Sequence, residues 1–89
     1  MSKDYTMVTT STSLALVAMT TADDPLAQIG IDILDSLGML VARSLPTPGI
    51  AVVEVPLPAP GTYTARVRNY GATPIVHAPN LLIREPWPQ

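Results

Sequence analysis

Cysteine is absent from this chain of 89 residues, and lysine, histidine and tryptophan each occur once. Without cysteine there is no disulfide framework, no thiolate ligand for a metal and no thiol nucleophile. Five basic residues stand against seven acidic ones, for a net charge of −2. This balance argues against a nucleic-acid partner, because phosphate neutralisation needs several cations on one face.

Long apolar runs are also missing. The run from Leu14 to Met19 is shorter than the core of a secretory signal, and nothing approaches the roughly 18 apolar residues of a membrane span. We therefore expect no cleaved signal peptide and no membrane partner. A virion surface or the cytoplasm is the favoured location.

Catalytic signatures are absent in any recognisable form. The sequence contains neither G-x-S-x-G nor S-x-x-K, and its five glycines are scattered, so they form no phosphate loop. We expect a protein that is not an enzyme and that carries no cofactor and no metal.

Apolar side chains, in contrast, are abundant. They make up 47% of the chain, while charged residues reach 13%, about half the typical share of roughly 25%. A domain this small has a high surface-to-volume ratio, so one copy cannot bury all of them. The surplus predicts a homo-oligomer or attachment to a lattice of another structural protein.

Ten prolines interrupt the chain too often for long helices. Between them lie short runs rich in Thr, Val and Ile, which predict an all-β fold: a small antiparallel β-sandwich, jelly-roll or Ig-like, of six to eight short strands with an extended N-terminal arm. Residues 1–21 would form the arm and first strand, and residues 22–89 the remainder of a single domain.

Two segments leave an alternative open. Residues 11–21 are apolar on both faces, which suits a central strand, although their Leu, Ala and Met also favour a short helix. Residues 29–44 alternate around the turn signal Asp35 to Gly38 and predict a hairpin. A helix over residues 25–44 competes, since several leucines there have helical spacing.

The stretch GTYTARVRNYG is the clearest strand. Tyr63, Ala65 and Val67 would face the core, while Arg66 and Arg68 would face water or a partner's carboxylates. A solvated face is the more common role for such arginines.

Contacts with neighbouring molecules are predicted for two other regions. The N-terminal arm carries no charge between Thr6 and Ala22, and Trp87 lies between two prolines on a stiff segment that suits an anchor. The interface candidates are Leu14, Leu16, Val17, Met19, Arg66, Arg68, Tyr70 and Trp87.

Ionisable side chains suggest little chemistry. His77 is a single histidine beside a strand proline, so an edge or interface position is expected for it. The four aspartates that could gather around calcium lack the density of a dedicated loop, and turn capping is the better interpretation. These aspartates are Asp23, Asp24, Asp32 and Asp35.

Two resemblances suggest settings. The strings IDILDSLGMLVARS and VVEVPLPAPGTYTARVRNYG resemble the pre-peptidase C-terminal type of accessory β-sandwich, which is appended to secreted bacterial peptidases. That likeness implies a module that binds a carbohydrate or protein ligand. The size, low charge and Thr/Ala/Pro richness resemble the small decoration proteins of phage capsids, in style and without a motif.

The sequence thus supports two functions. The first is a non-enzymatic structural protein that assembles through β-strand and apolar contacts, such as a virion decoration or cement protein. The second is an accessory binding module.

Overall fold

The computed structural model describes residues 2–71 and 75–86, and these residues form eight strands and no helix. The strands are β1 (Ser2–Thr9), β2 (Ala15–Ala22), β3 (Gln28–Leu34), β4 (Leu40–Arg43), β5 (Thr47–Pro48), β6 (Ile50–Pro56), β7 (Gly61–Asn69) and β8 (His77–Arg84). They build two antiparallel sheets, so the predicted all-β class and small antiparallel sandwich are confirmed.

The sheets differ in size. Sheet A has the order β1-β7-β3-β4, with the short β5 also paired to β3, and sheet B has the order β6-β2-β8. The Cα atoms extend over 45 × 30 × 17 Å. The smallest dimension fits two sheets packed about 10 Å apart, with the core between them.

The N-terminal segment is extended and docked on its own chain. Strand β1 pairs with β7 over its whole length, from Ser2 opposite Arg68 to Thr9 opposite Gly61. A tight turn follows, closed by a 3.1 Å bond from the Ser13 amide to the Thr10 carbonyl, and it carries the chain into sheet B. Residues 15–22 are then a strand, which settles the choice between strand and helix.

Strand β2 is central in sheet B, as its two-sided apolar character predicts. It pairs with β6 on one side and β8 on the other. Pro79 lies within β8, which is an edge strand, the place where the missing amide of proline is tolerated.

The hairpin predicted for residues 29–44 is present as β3 and β4. Its turn is capped by Asp35, whose Oδ1 accepts bonds of 2.9 Å from the amides of Leu37 and Met39. Gly38 takes a φ of +81°, which glycine adopts without a steric penalty.

The core lies between the sheets and comes from alternate residues on both. Because side chains along a strand point alternately to its two faces, one set from each strand is buried. The buried cluster is Met7, Leu16, Ala18, Ile29, Ile31, Ile33, Ala51, Val53, Tyr63, Ala65 and Val67.

Candidate functional site

The two outer faces of the sandwich differ in chemistry. In an antiparallel sheet with one face on the core, the other face is normally polar. Sheet A follows this rule, because its outward positions carry Asp4, Arg66, Asp32 and Arg43. Sheet B does not, because its outward positions are mostly apolar.

The charges of sheet A form one row across four strands. Asp4 on β1 lies opposite Arg66 on β7, Arg66 lies opposite Asp32 on β3, and Asp32 lies opposite Arg43 on β4. Negative and positive side chains therefore alternate from one edge of the sheet to the other. Directly opposed unlike charges stabilise such a pairing.

Asp32 is the centre of this row. Its carboxylate accepts bonds from Arg43 Nε at 2.9 Å and from Arg68 Nε at 2.7 Å, and its side chain is only 2% exposed. Burial raises the pKa of Asp32, but the hydrogen bonds from Arg43 and Arg68 outweigh that effect, so the net pKa lies below its ordinary value. The interpretation of Asp32 as a turn-capping residue is wrong, since it is a mid-strand residue paired with two arginines.

A second ion pair closes the edge of the same row. Arg66 holds Asp4 through two bonds, 2.9 Å from Nε to Oδ1 and 3.2 Å from Nη2 to Oδ2. The hydrogen bond from Arg66 lowers the pKa of Asp4. Arg66 and Arg68 thus bind carboxylates of their own chain, and this outer face is a polar network rather than an open cationic patch.

Tyr70 completes the outer face of sheet A. A Cβ atom added to Gly30 would lie 3.0 Å from the Tyr70 ring, so the tyrosine lies against the glycine and covers it. About half of Tyr70 remains exposed. Its position on this face explains why β3 tolerates a glycine in mid-strand.

The outer face of sheet B is the unusual surface. Three of its outward side chains are about half exposed, Ile50 at 45%, Val52 at 53% and Leu82 at 54%. Val17 and Met19 of β2 lie between them and are partly buried. We call these five residues, Val17, Met19, Ile50, Val52 and Leu82, the apolar face.

The register shows that the apolar face is continuous. Val52 of β6 lies opposite Met19 of β2, and Leu82 of β8 lies opposite Val17 of β2. Within the described part of the chain, Glu54 and Arg84 are the two charged side chains at outward positions of this sheet. They form a long ion pair, with 3.9 Å between Arg84 Nη1 and Glu54 Oε2.

The interface candidates from the sequence fall into four groups. Arg66, Arg68 and Tyr70 lie on the outer face of sheet A, where the two arginines bind carboxylates of the same chain. Val17 and Met19 lie on the apolar face, and Leu14 is exposed just before β2. Leu16 is fully buried in the core, so its assignment as a contact residue is corrected: its side chain offers no surface to a partner. Trp87 lies outside the described residues.

Three residues of the apolar face were not singled out from the sequence, namely Ile50, Val52 and Leu82. A signal for two of them was present, since IAVVEV is apolar at both odd and even positions up to Glu54. A strand with one wet face would alternate with polar residues. The pairing that places β6 and β8 on either side of β2 is not visible in the sequence.

Of the remaining aspartates, Asp24 and Asp35 cap local turns, whereas Asp23 bonds to a segment distant in sequence, so the turn-capping prediction is wrong for Asp23. Asp24 Oδ1 accepts a 2.9 Å bond from the Leu26 amide, and Asp23 Oδ1 accepts a 3.1 Å bond from the Val76 amide. In residues 2–71 and 75–86, no three His, Asp or Glu side chains come close enough together to hold a metal ion. Local capping is the role that these contacts support for Asp24 and Asp35.

His77 begins the edge strand β8. Its Nε2 lies 2.7 Å from the Tyr5 hydroxyl, and the two rings meet edge to face with centroids 5.9 Å apart. Tyr5 belongs to β1 of the other sheet, so this contact joins the two edges of the sandwich. The edge position predicted for His77 is where the structure has it.

A cavity of about 370 Å³ lies at one end of the sandwich. It lies between the β3–β4 turn and the β6–β7 connector, and its walls include Val41 and Leu57. Leu57 has a φ of +46°, a left-handed conformation that is rare for leucine, and 76% of it is exposed. The connector is held in place by bonds to the Ala59 carbonyl from the hydroxyls of Thr9 and Tyr63.

Comparison with protein families and with curated proteins gives no match for this chain. Among the described residues, no helix is long and apolar enough to cross a membrane.

Proposed function

We propose that this protein is a non-enzymatic structural module that assembles with neighbouring proteins through its apolar face. The partners are copies of the same chain or a lattice of another structural protein. The observation that carries the proposal is the exposure of Ile50, Val52 and Leu82 beside Val17 and Met19, on the outer face of sheet B.

Free energy favours covering such a surface. Removing apolar area from water stabilises by about 25 cal/mol per Å². The whole outer face of sheet B, with three strands about 4.8 Å apart and about eight residues long at about 3.4 Å each, has an area of the order of 400 Å², and the five residues of the apolar face account for roughly 160 Å² of it. Apolar patches rimmed by polar residues are often contact sites on small proteins.

The contrast between the two sheets supports the same conclusion. The outer face of sheet A satisfies each carboxylate with an arginine, which is a suitable surface for water. The sandwich therefore has one outer face on which the charges are paired and another that is apolar. This division is expected for a subunit that docks on another protein through its apolar face and exposes its polar face to solvent.

A virion surface is the setting we propose for such a subunit. The support is the likeness in size, low charge and composition to small decoration proteins of phage capsids. A shell of repeated subunits offers many equivalent sites, and subunits that also contact one another on it would bind with an avidity above that of a single contact.

A second candidate is an accessory module that binds a carbohydrate or protein ligand at a loop edge. The cavity beside Leu57 favours it, because residues with strained backbone conformations cluster at ligand-binding sites. Replacing Leu57 with Gly relieves the backbone and removes the side chain. It would abolish ligand binding in this second case and leave assembly unchanged in the first.

The experiment that tests the first proposal compares two lysine variants by light scattering over a concentration series. Val52→Lys places a cation in the apolar face, and Thr62→Lys places one at an exposed outward position of β7 on sheet A. We expect the wild type and Thr62→Lys to associate alike and Val52→Lys to remain a single chain. If all three proteins associated to the same extent, the apolar face would not be the contact surface.

A further inference from the structure

Resting on the assembly function proposed above, we infer that the partner of the apolar face is a second copy of this chain. The two copies stack sheet B against sheet B around a twofold axis that runs along β2. In this arrangement β6 of one copy lies over β8 of the other, and each β2 lies over its partner's β2.

The strand order of sheet B makes this axis possible. With β2 central and one strand on each side, a rotation about β2 superimposes the three-stranded face on an equally wide face. No strand of the described sheet is left overhanging. An isologous contact of this kind closes on itself, so it yields a dimer and not an open fibre.

Charge complementarity selects this axis from the other ways of stacking two copies. Glu54 lies on β6 and Arg84 on β8, so the two charges occupy opposite edges of the face. Rotation about β2 brings Glu54 of each copy to the edge that carries Arg84 of the other. Two interchain pairs thus replace two long intrachain pairs of 3.9 Å.

The alternative twofold axis lies across the strands and lacks this benefit. It stacks β6 on β6 and β8 on β8, so Glu54 of one copy stays on the edge opposite Arg84 of the other and no interchain pair can form. The charges of the two edge strands therefore favour the axis along β2.

The size of the surface sets the strength of the pair. An area of the order of 400 Å² per copy is about half that of a standard interface, about 800 Å² per partner. We expect a reversible dimer whose population rises with protein concentration. A stable dimer at all dilutions is not expected.

Chemical crosslinking tests the geometry directly, because the natural chain has no cysteine. Thr21 is exposed and lies at one end of β2, close to the inferred axis, so two copies of Thr21→Cys face each other. A short bifunctional thiol-reactive crosslinker should join the two cysteines at high protein concentration. Thr6→Cys, exposed on the outer face of sheet A, is the control that should remain unlinked.

Charge reversal supplies the second arm of the test. Glu54→Lys and Arg84→Glu should each weaken association of the variant with itself. Mixing the two variants should restore association. The new cation at position 54 of one variant then meets the new anion at position 84 of the other, and the unchanged Arg84 meets the unchanged Glu54. Sedimentation of the mixed and separate samples provides the readout.

The outcomes separate this inference from the function on which it rests. Crosslinked Thr21→Cys together with weakened single variants supports the twofold pair. Association that persists without a Thr21→Cys crosslink overturns the twofold pair and leaves assembly through the apolar face standing. A wild-type chain that stays single at every concentration overturns the twofold pair and leaves a lattice of another protein as the partner in the proposed function.

Discussion

Asp32 shows how one residue organises a whole sheet face. Its carboxylate lies at the centre of sheet A and receives Arg43 from one neighbouring strand and Arg68 from the other. A buried carboxylate without such partners would be costly, while one that is paired links three strands. The same residue determines how stability responds to acid.

The pH dependence follows from the direction of the pKa shift. Because the folded-state pKa of Asp32 is lowered, its contribution is fully present above the unfolded-state pKa of about 4 and is lost as pH falls through the folded value. We predict that Asp32→Asn lowers the free energy of unfolding by about 2 kcal/mol at pH 7. The deficit should shrink below pH 4, as measured by urea titration with circular dichroism.

Asp24→Asn is the matched control. Asp24 makes a single turn bond to the Leu26 amide, and asparagine supplies the same oxygen. Its stability should therefore follow the wild type at each pH. A deficit of Asp32→Asn that stays constant from neutral to acid pH would contradict the role given to the arginine pairs.

Replacing Thr20 should stabilise the protein, in contrast to replacing Asp32. Thr20 faces the core from β2, it is fully buried, and its hydroxyl oxygen has no hydrogen-bond partner among the described residues. Valine has nearly the same shape without the hydroxyl, so Thr20→Val should raise the free energy of unfolding by about 1 kcal/mol. Thermal and urea unfolding measure it, with the exposed neighbour variant Thr21→Val as control. A less stable Thr20→Val protein would show that the hydroxyl has a role in the core.

At the scale of elements, two turn glycines form a natural comparison. Gly49 and Gly38 both have positive φ, +76° and +81°. A Cβ atom on Gly49 would lie 2.8 Å from the Pro25 carbonyl oxygen, whereas one on Gly38 would meet no described atom within 4 Å. The two sites therefore share backbone strain and differ in space.

We predict that Gly38→Ala costs about 1 kcal/mol, the strain of a left-handed alanine. Gly49→Ala should cost at least about 2 kcal/mol, because the Pro25 backbone must also move. Urea titration of both variants measures the difference. Equal losses of stability in the two variants would mean that the backbone around Pro25 shifts without a free-energy cost.

Local patterns in the sequence predicted most elements correctly. The alternation from Tyr63 to Val67 placed β7 with its proper face inward, and the turn from Asp35 to Gly38 placed the β3–β4 hairpin. These features depend on residues close together in the chain. The short β5 was missed, since its two residues pair with a distant strand and carry no pattern of their own.

Long-range pairing decides what the patterns could not. Asp32 and Gly30 alternate with the core isoleucines of β3, and this alternation predicts that both lie exposed on the outer face of the sheet. Both are nevertheless buried, because Arg43, Arg68 and Tyr70 cover them from outside that strand.

Prediction of the candidate site from the sequence is limited by long-range pairing in the same way. The sequence identified Val17 and Met19, which lie on one strand. Ile50, Val52 and Leu82 join them only through the order β6-β2-β8, which brings distant parts of the chain together.

At the scale of the whole molecule, the distribution of apolar side chains is the main feature. Core residues from both sheets are well buried, and a second apolar group remains on the outside of sheet B. That surplus agrees with the composition, in which apolar residues are plentiful and charges few. We therefore expect the apolar face to be covered when the protein works.

Sedimentation equilibrium of the unmodified chain over a wide concentration range measures whether two copies cover this face for each other. We expect an average mass that rises from one chain towards two as concentration increases, and a Val52→Lys variant that stays at one. A mass of one chain at every concentration, equal for both proteins, would rule out a second copy as the partner.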